Sequence, residues 1–247
     1  MFAIFRKEIS GFFSSLTGYI VIIVFLIINS LFMWVFPGEW NILDSGYAGL
    51  DTLFFLSPWV FLFLVPAVTM RMIAEEKRLG TIEHLYTKPL TEREIIWGKY
   101  LASVALVLLS LLPCLIYYIS VYLLGETSGN LDKGATLGAF IGLFLLAAVY
   151  ASAGIFASSI TDNQVIAFII AVLFCFVLFI GFDSFAYLPG LKKLDEFVIN
   201  LGINEHYKSI SRGVIDSRDV IYFIAVSVIF VEATRLMLLS RKWKKKS

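Results

Sequence analysis

Five stretches of this chain run the length of a membrane crossing without a single Asp, Glu, Lys or Arg. They lie between Glu8 and Glu39, Asp51 and Arg71, Lys99 and Glu126, Lys133 and Asp162, and Asp162 and Asp183. Each reaches or exceeds the roughly 18 residues that mark a spanning-helix candidate. A bilayer core holds no water to satisfy backbone N–H and C=O groups, so such runs must close their hydrogen bonds internally, as helices. A sixth run, Val220 to Leu239, is apolar except for Glu232 and Arg235 near one end. Composition excludes the alternatives. Of 247 residues, 59% are hydrophobic and 16% charged, against about 45–50% and about 25% in a soluble domain. Too few charges remain to build a polar skin. An outer-membrane barrel would alternate lipid-facing residues with polar lumen residues, which these runs do not. The expected fold is an all-α integral membrane protein, a single transmembrane domain over residues 1–247. Its spans fall at about Leu16–Phe36, Thr52–Met70, Tyr100–Leu124, Ala135–Ile160, Val165–Phe182 and Val220–Leu239.

Lys and Arg set the expected orientation. The N-terminus, the Arg71–Lys99 loop, the short turn before the fifth span and the C-terminus together hold 14 basic residues, and the opposite loops hold 6. Positive residues concentrate on the cytoplasmic side, so both termini are expected there, in a multi-pass inner-membrane protein. The first apolar run is too long for a cleaved signal. Cys114 and Cys175 fall inside spans and read as packing residues.

The parts outside the apolar runs are small. In residues 1–15, Phe2, Phe5, Ile9, Phe12 and Phe13 recur at helical spacing, with Arg6, Lys7, Ser10 and Ser14 on the other side. That pattern predicts an amphipathic interfacial helix suited to an anionic leaflet. It either anchors the first span or touches a cytoplasmic partner as well. The outer segment 183–218 predicts one short helix after Leu188-Pro189-Gly190 and a second from Asn204 to Arg212. The basic C-terminus reads as an electrostatic anchor to lipid. In the fourth run, Gly138 and Gly142 form a Gly-x-x-x-Gly pair, which lets helices approach closely. The alternatives there are tight packing within the subunit and merely tolerated small residues. Glu232 and Arg235 share a helix face. They are either a local intramembrane ion pair, or Glu232 reaches Arg6 or Lys7.

Enzyme chemistry is poorly supported. The two histidines, His84 and His206, are expected on opposite sides of the membrane, and neither an H-E-x-x-H nor a G-x-S-x-G motif occurs. No catalytic, cofactor-binding or metal residue is expected. An ion-coupled transporter would place charges or broken helices near the midplane. Five of the runs carry no charge, and Pro58, Pro66 and Pro113 could break helices but are common in membrane helices anyway.

The Arg71–Lys99 loop is the most organised polar stretch. Glu75 and Glu76 lie where the second span can continue as helix past the membrane. Gly80 stands at a plausible C-cap position. Thr81 can cap a short helix that ends at Lys88-Pro89. Thr91-Glu92-Arg93-Glu94 fits a capping box opening the next helix. The result is helix, short transverse helix, helix, and a short helix held crosswise under two spans can transmit a push. At Glu75, Glu76, Gly80, Thr81, Glu83, Leu85, Pro89 and Glu94, with Ile95 and Gly98-Lys99, the chain resembles the ABC-2 type permeases, membrane subunits of one class of ATP-driven transporters. The likeness extends over essentially the whole chain. It is greatest to the gliding-motility-associated permeases of the F-subunit type, which His206–Asp219 also resembles, along with related copper-enzyme-maturation permeases. The resemblance implies that residues 71–99 couple to an ABC ATPase, that two permease halves pair as identical or homologous subunits, and that ATP and Mg act through the partner. The chain has no G-x-x-x-x-G-K-[ST] phosphate loop of its own. Membrane lipid is the other expected partner, and nucleic acid is not one. A lipid, a hydrophobic conjugate, a polysaccharide or a polypeptide segment fits charge-free spans equally well as cargo. A non-transporting scaffold or mechanical transmitter is the competing function.

Overall fold

A computed structural model describes residues 1–86, 89–125, 131–186 and 199–244. Among them there are helices and turns but no strand. Helix α1 is Phe2–Ser14, and Ser15, in extended conformation, turns the chain into α2, Leu16–Ser30. The corner is tight because Gly18 lies against the Phe12 carbonyl, where a Cβ would stand 2.9 Å from that oxygen. After the short α3, Ile42–Ser45, come α4, Asp51–Thr69, α5, Arg71–Arg78, and α6, Thr81–Tyr86. Helix α7, Glu92–Leu111, passes through a 3-10 turn at Pro113 into α8, Leu115–Leu124. Helix α9 is Lys133–Ile160 and α10 is Gln164–Phe176, followed by a π-helical turn, Val177–Gly181, and α11, Phe182–Ala186. Helix α12, Ile203–Ser211, and α13, Ser217–Lys244, complete the described chain.

Six of these segments are long and apolar enough to cross a bilayer: Leu16–Val35, Asp51–Arg78, Glu92–Leu124, Lys133–Ile160, Gln164–Ser184 and Ser217–Ser240. Several exceed the charge-free runs because charged turns continue the same helices at their ends. Helix α9 is the hub. Its apolar window is 72% buried, against 22% for the last span. Small residues make this possible, since Gly142, Ala147, Ala151, Ala153, Gly154 and Ala157 let α4, α7, α10, α12 and α13 approach it. The outward faces of the peripheral spans, such as Ile20, Ile23 and Ile27 or Val165, Ile169 and Leu173, are exposed and left for lipid.

The second of the predicted outer helices is present as α12. The first, after Leu188-Pro189-Gly190, lies outside the described residues. Helix α12 repairs a break in α4. Pro58 has no N–H, so the Phe54 carbonyl loses its helical donor. The Tyr207 hydroxyl donates to that carbonyl at 2.6 Å instead.

Candidate functional site

The polar loop folds as its local signals direct. Gly80 takes φ +70°, the left-handed conformation that glycine adopts without steric cost, and separates α5 from α6. The Thr91–Glu94 capping box is closed in both directions: the Glu94 amide donates to the Thr91 hydroxyl at 3.3 Å, and the Thr91 amide donates to the Glu94 carboxylate at 3.0 Å. In α6, Glu83 is exposed and Leu85 half-buried, and beyond the helix Pro89 is exposed. Thr81 sits at the start of α6, its hydroxyl 3.4 Å from the Glu76 carbonyl. Lys88 lies outside the described residues.

Beneath this loop is a charge cluster that links three elements. Lys99 of α7 is 1% exposed, which is costly for an ammonium unless it is fully paired. Its Nζ stands 2.8 Å from Glu8 Oε1 of α1, 2.9 Å from Glu76 Oε1 of α5 and 2.8 Å from the Met72 carbonyl. Three acceptors match the three protons of the group. Lys7 approaches the same carboxylates from the rim, at 2.9 Å from Glu76 and 3.5 Å from Glu8. Partial burial of Lys7 disfavours its charge, but the Glu76 and Glu8 carboxylates outweigh that and hold its pKa above the ordinary lysine value. Glu76 is thus a ligand of two ammonium groups, whereas Glu75 is half-buried beside it and lines a hollow of about 310 Å³ with Lys7, Glu8, Arg71 and Thr81.

A second knot lies where α4 gives way to α5. The first amides of a helix have no carbonyl of their own helix to bond. Ser158 of α9 supplies the acceptor: the Ile73 and Ala74 amides donate to its hydroxyl at 3.1 and 2.9 Å, and that hydroxyl donates to the Met70 carbonyl at 2.8 Å. Gly154, one turn earlier on α9, leaves room for Thr69. Arg71 donates to the Thr17 hydroxyl at 3.0 Å and lies over the Phe12 ring at 5.1 Å, joining the knot to the α1–α2 corner.

The N-terminal helix is present as α1, and of its Phe2, Phe5, Ile9, Phe12 and Phe13 stripe only Phe12 is fully buried. Ile4 and Phe12 are buried, Phe2 is exposed, and Phe5 and Ile9 are half-buried. Apolar side chains at a membrane surface can face lipid, so the protein-facing stripe is free to carry Glu8. Arg6 is exposed. Helix α1 crosses α7 at Gly98, where a Cβ would meet Ile4 at 3.0 Å. Gly138 and Gly142 face α12 and its C-terminal turn: a Cβ would stand 3.0 Å from Gly213 Cα and 2.9 Å from Ile210 Cγ2 respectively.

Glu232 lies 3.0 Å from Arg235 and 3.5 Å from Arg93 at the start of α7. Of the alternative partners expected for Glu232, Lys7 goes to Glu76 and Glu8 instead, and Arg6 forms no ion pair with it. Glu232 and Arg235 are 36% and 29% exposed, so Lys99, read from sequence as a loop terminus, is the more deeply buried charge. Its only sequence signal was its place directly after Gly98 at the mouth of an apolar run. Ser158 gave none.

No curated protein matches the chain. Residues 52–214, more than half of the chain, match a family model described as "ABC-2 family transporter protein". The matched region begins with α4 and ends just beyond α12.

Proposed function

The chain belongs to the ABC-2 transporter family, and from that premise we propose that α5, α6 and the start of α7 receive the stroke of a separate ATP-hydrolysing subunit. Family membership and six membrane-length helices make the chain a multi-pass membrane permease of an ABC transporter, partnered by an ABC ATPase. The finer reading adds the place and route of coupling. The observation that carries it is the Lys99 cluster. It ties the helix leading into α6, the helix leading out of the loop and the interfacial helix into one block, so a load on α6 reaches two spans at once. In this reading the loop end is cytoplasmic, as its excess of basic residues favours, and the membrane is the bacterial inner membrane. ATP and Mg bind on the ATPase, and a second permease copy or a homologous permease completes the path. A role in gliding motility rests on the chain's resemblance to the gliding-motility-associated permeases, His206–Asp219 included.

The test is the double variant Gly80→Pro/Glu83→Lys. Proline cannot take the positive φ of Gly80, and the lysine reverses a charge on the exposed face of α6. The variant should reach the membrane and copurify with the ATPase in reduced amount, with ATP hydrolysis no longer linked to the complex's function. Full function in that variant would remove α6 as the coupling element.

A further inference from the structure

At the membrane end opposite α6, a cavity of about 620 Å³ opens between α4, the π-helical turn and α12. Its walls differ in kind along their length. Phe55, Trp59 and Phe179 form an aromatic side, while Lys208 and Arg212 stand on α12 at one rim and Asp51 at another. Lys208 and Arg212 are four residues apart and share a helix face. Lys208 forms two long ion pairs, to Asp183 and Glu205, each at 3.8 Å and beyond hydrogen-bond reach. Arg212 is exposed and forms no ion pair with any described residue.

The site is built rather than incidental. Pro58 and the π-helical turn both line it. Both interrupt a regular helix inside the membrane, and π turns recur at functional positions. The Tyr207 hydroxyl on the Phe54 carbonyl holds α12 in place over the proline break. Depth sets what can occupy it. From Asp51 to Trp59 the wall descends eight residues, about 12 Å at 1.5 Å per residue, into a leaflet whose hydrocarbon is about 15 Å deep. Phe55 and Trp59 remain exposed, at 55% and 38%, so the cavity is open sideways to lipid. A small soluble anion would leave the aromatic wall bare, and an uncharged hydrocarbon would leave Arg212 without an ion pair among the described residues.

We propose that this cavity binds one phospholipid, its phosphate held by Lys208 and Arg212 and an acyl chain laid along Phe55, Trp59 and Phe179. The site is independent of the coupling reading, since no ATPase takes part in it.

The test uses the full-length permease purified in detergent, with phosphatidylglycerol titrated and bound lipid counted by native mass spectrometry. Lys208→Ala/Arg212→Ala should bind phosphatidylglycerol at least about tenfold more weakly, because both charge-assisted contacts are gone. Trp59→Ala should also weaken it. Lys133→Ala, a cation at the same membrane end but outside the cavity, should not. Unchanged thermal unfolding of the double variant would show that the fold is kept. Glycerol phosphate, which has the head without the chain, should not displace the lipid at matched concentration. Equal affinity in the double variant and in Lys133→Ala would overturn the proposal. Displacement by glycerol phosphate would overturn it in favour of a soluble anion site.

Discussion

Lys99 shows how much can rest on one side chain. Its ammonium is buried with every proton accepted, so removing it leaves Glu8 and Glu76 facing each other with only the exposed Lys7 between them. Breaking a buried pair from one side costs about 3–5 kcal/mol. Lys99→Met should therefore lower the unfolding temperature of the purified permease and its level in the membrane. Adding Glu8→Gln and Glu76→Gln should restore much of both, because the stranded charges are then gone. An unchanged unfolding temperature for Lys99→Met would refute the cluster as a structural tie. This residue was illegible in the sequence for a physical reason. A lysine at the end of an apolar run ordinarily snorkels to water, and nothing local distinguishes one that turns inward. The acids that capture it lie in two other elements. By contrast, the Thr91–Glu94 box and the Gly80 break were legible, because their partners are within a few residues and the backbone itself sets the geometry.

Among elements, α9 and α12 meet through glycines, and the two positions meet different atoms. A Cβ at Gly138 would press on the backbone of Gly213, which itself sits at φ +88° against Ala135 and cannot retreat. A Cβ at Gly142 would stand 2.9 and 3.2 Å from Ile210 Cγ2 and Cβ, the branched root of that side chain, and 3.7 Å from the Tyr207 ring. Gly138→Ala and Gly142→Ala should thus both destabilise, and Gly142→Leu should overpack the contact further, by about 1–3 kcal/mol. Fluorescence-detected gel filtration of heated samples would rank the three. Equal behaviour of both alanine variants with wild type would mean that α12 is not seated on α9. The Gly-x-x-x-Gly spacing was visible in the sequence, but its partner was not. Small residues advertise a close approach without naming what approaches, and the partner here is a nine-residue helix whose own amphipathic pattern is short.

For the whole molecule, the six crossings were legible because the bilayer imposes length and charge limits that any single sequence must obey. Which span sits at the centre was not, since α9 and the peripheral spans are similarly apolar and differ chiefly in side-chain size. The sidedness assigned from basic residues makes a direct prediction. In a background lacking Cys114 and Cys175, single cysteines at Ser45 and Ser217 should react with an impermeant thiol reagent in intact cells. A cysteine at Thr81 should react only after the membrane is opened. Labelling of Thr81→Cys from outside would invert the molecule and place α6 out of reach of any ATPase.

The Ser158 hydroxyl carries a mechanical consequence. A helix that continues unbroken has its direction decided by its own hydrogen bonds. Where α4 hands over to α5, two amides and a carbonyl are wired to a rotatable group on another span. The angle between the membrane part of that helix and its protruding end is therefore steered from α9, the most enclosed rod in the bundle. A slide of α9 along its axis would turn α5 like a tiller, and a load on α5 would return along the same connection. A hydroxyl that can rotate would keep those peptide groups bonded while the angle changed.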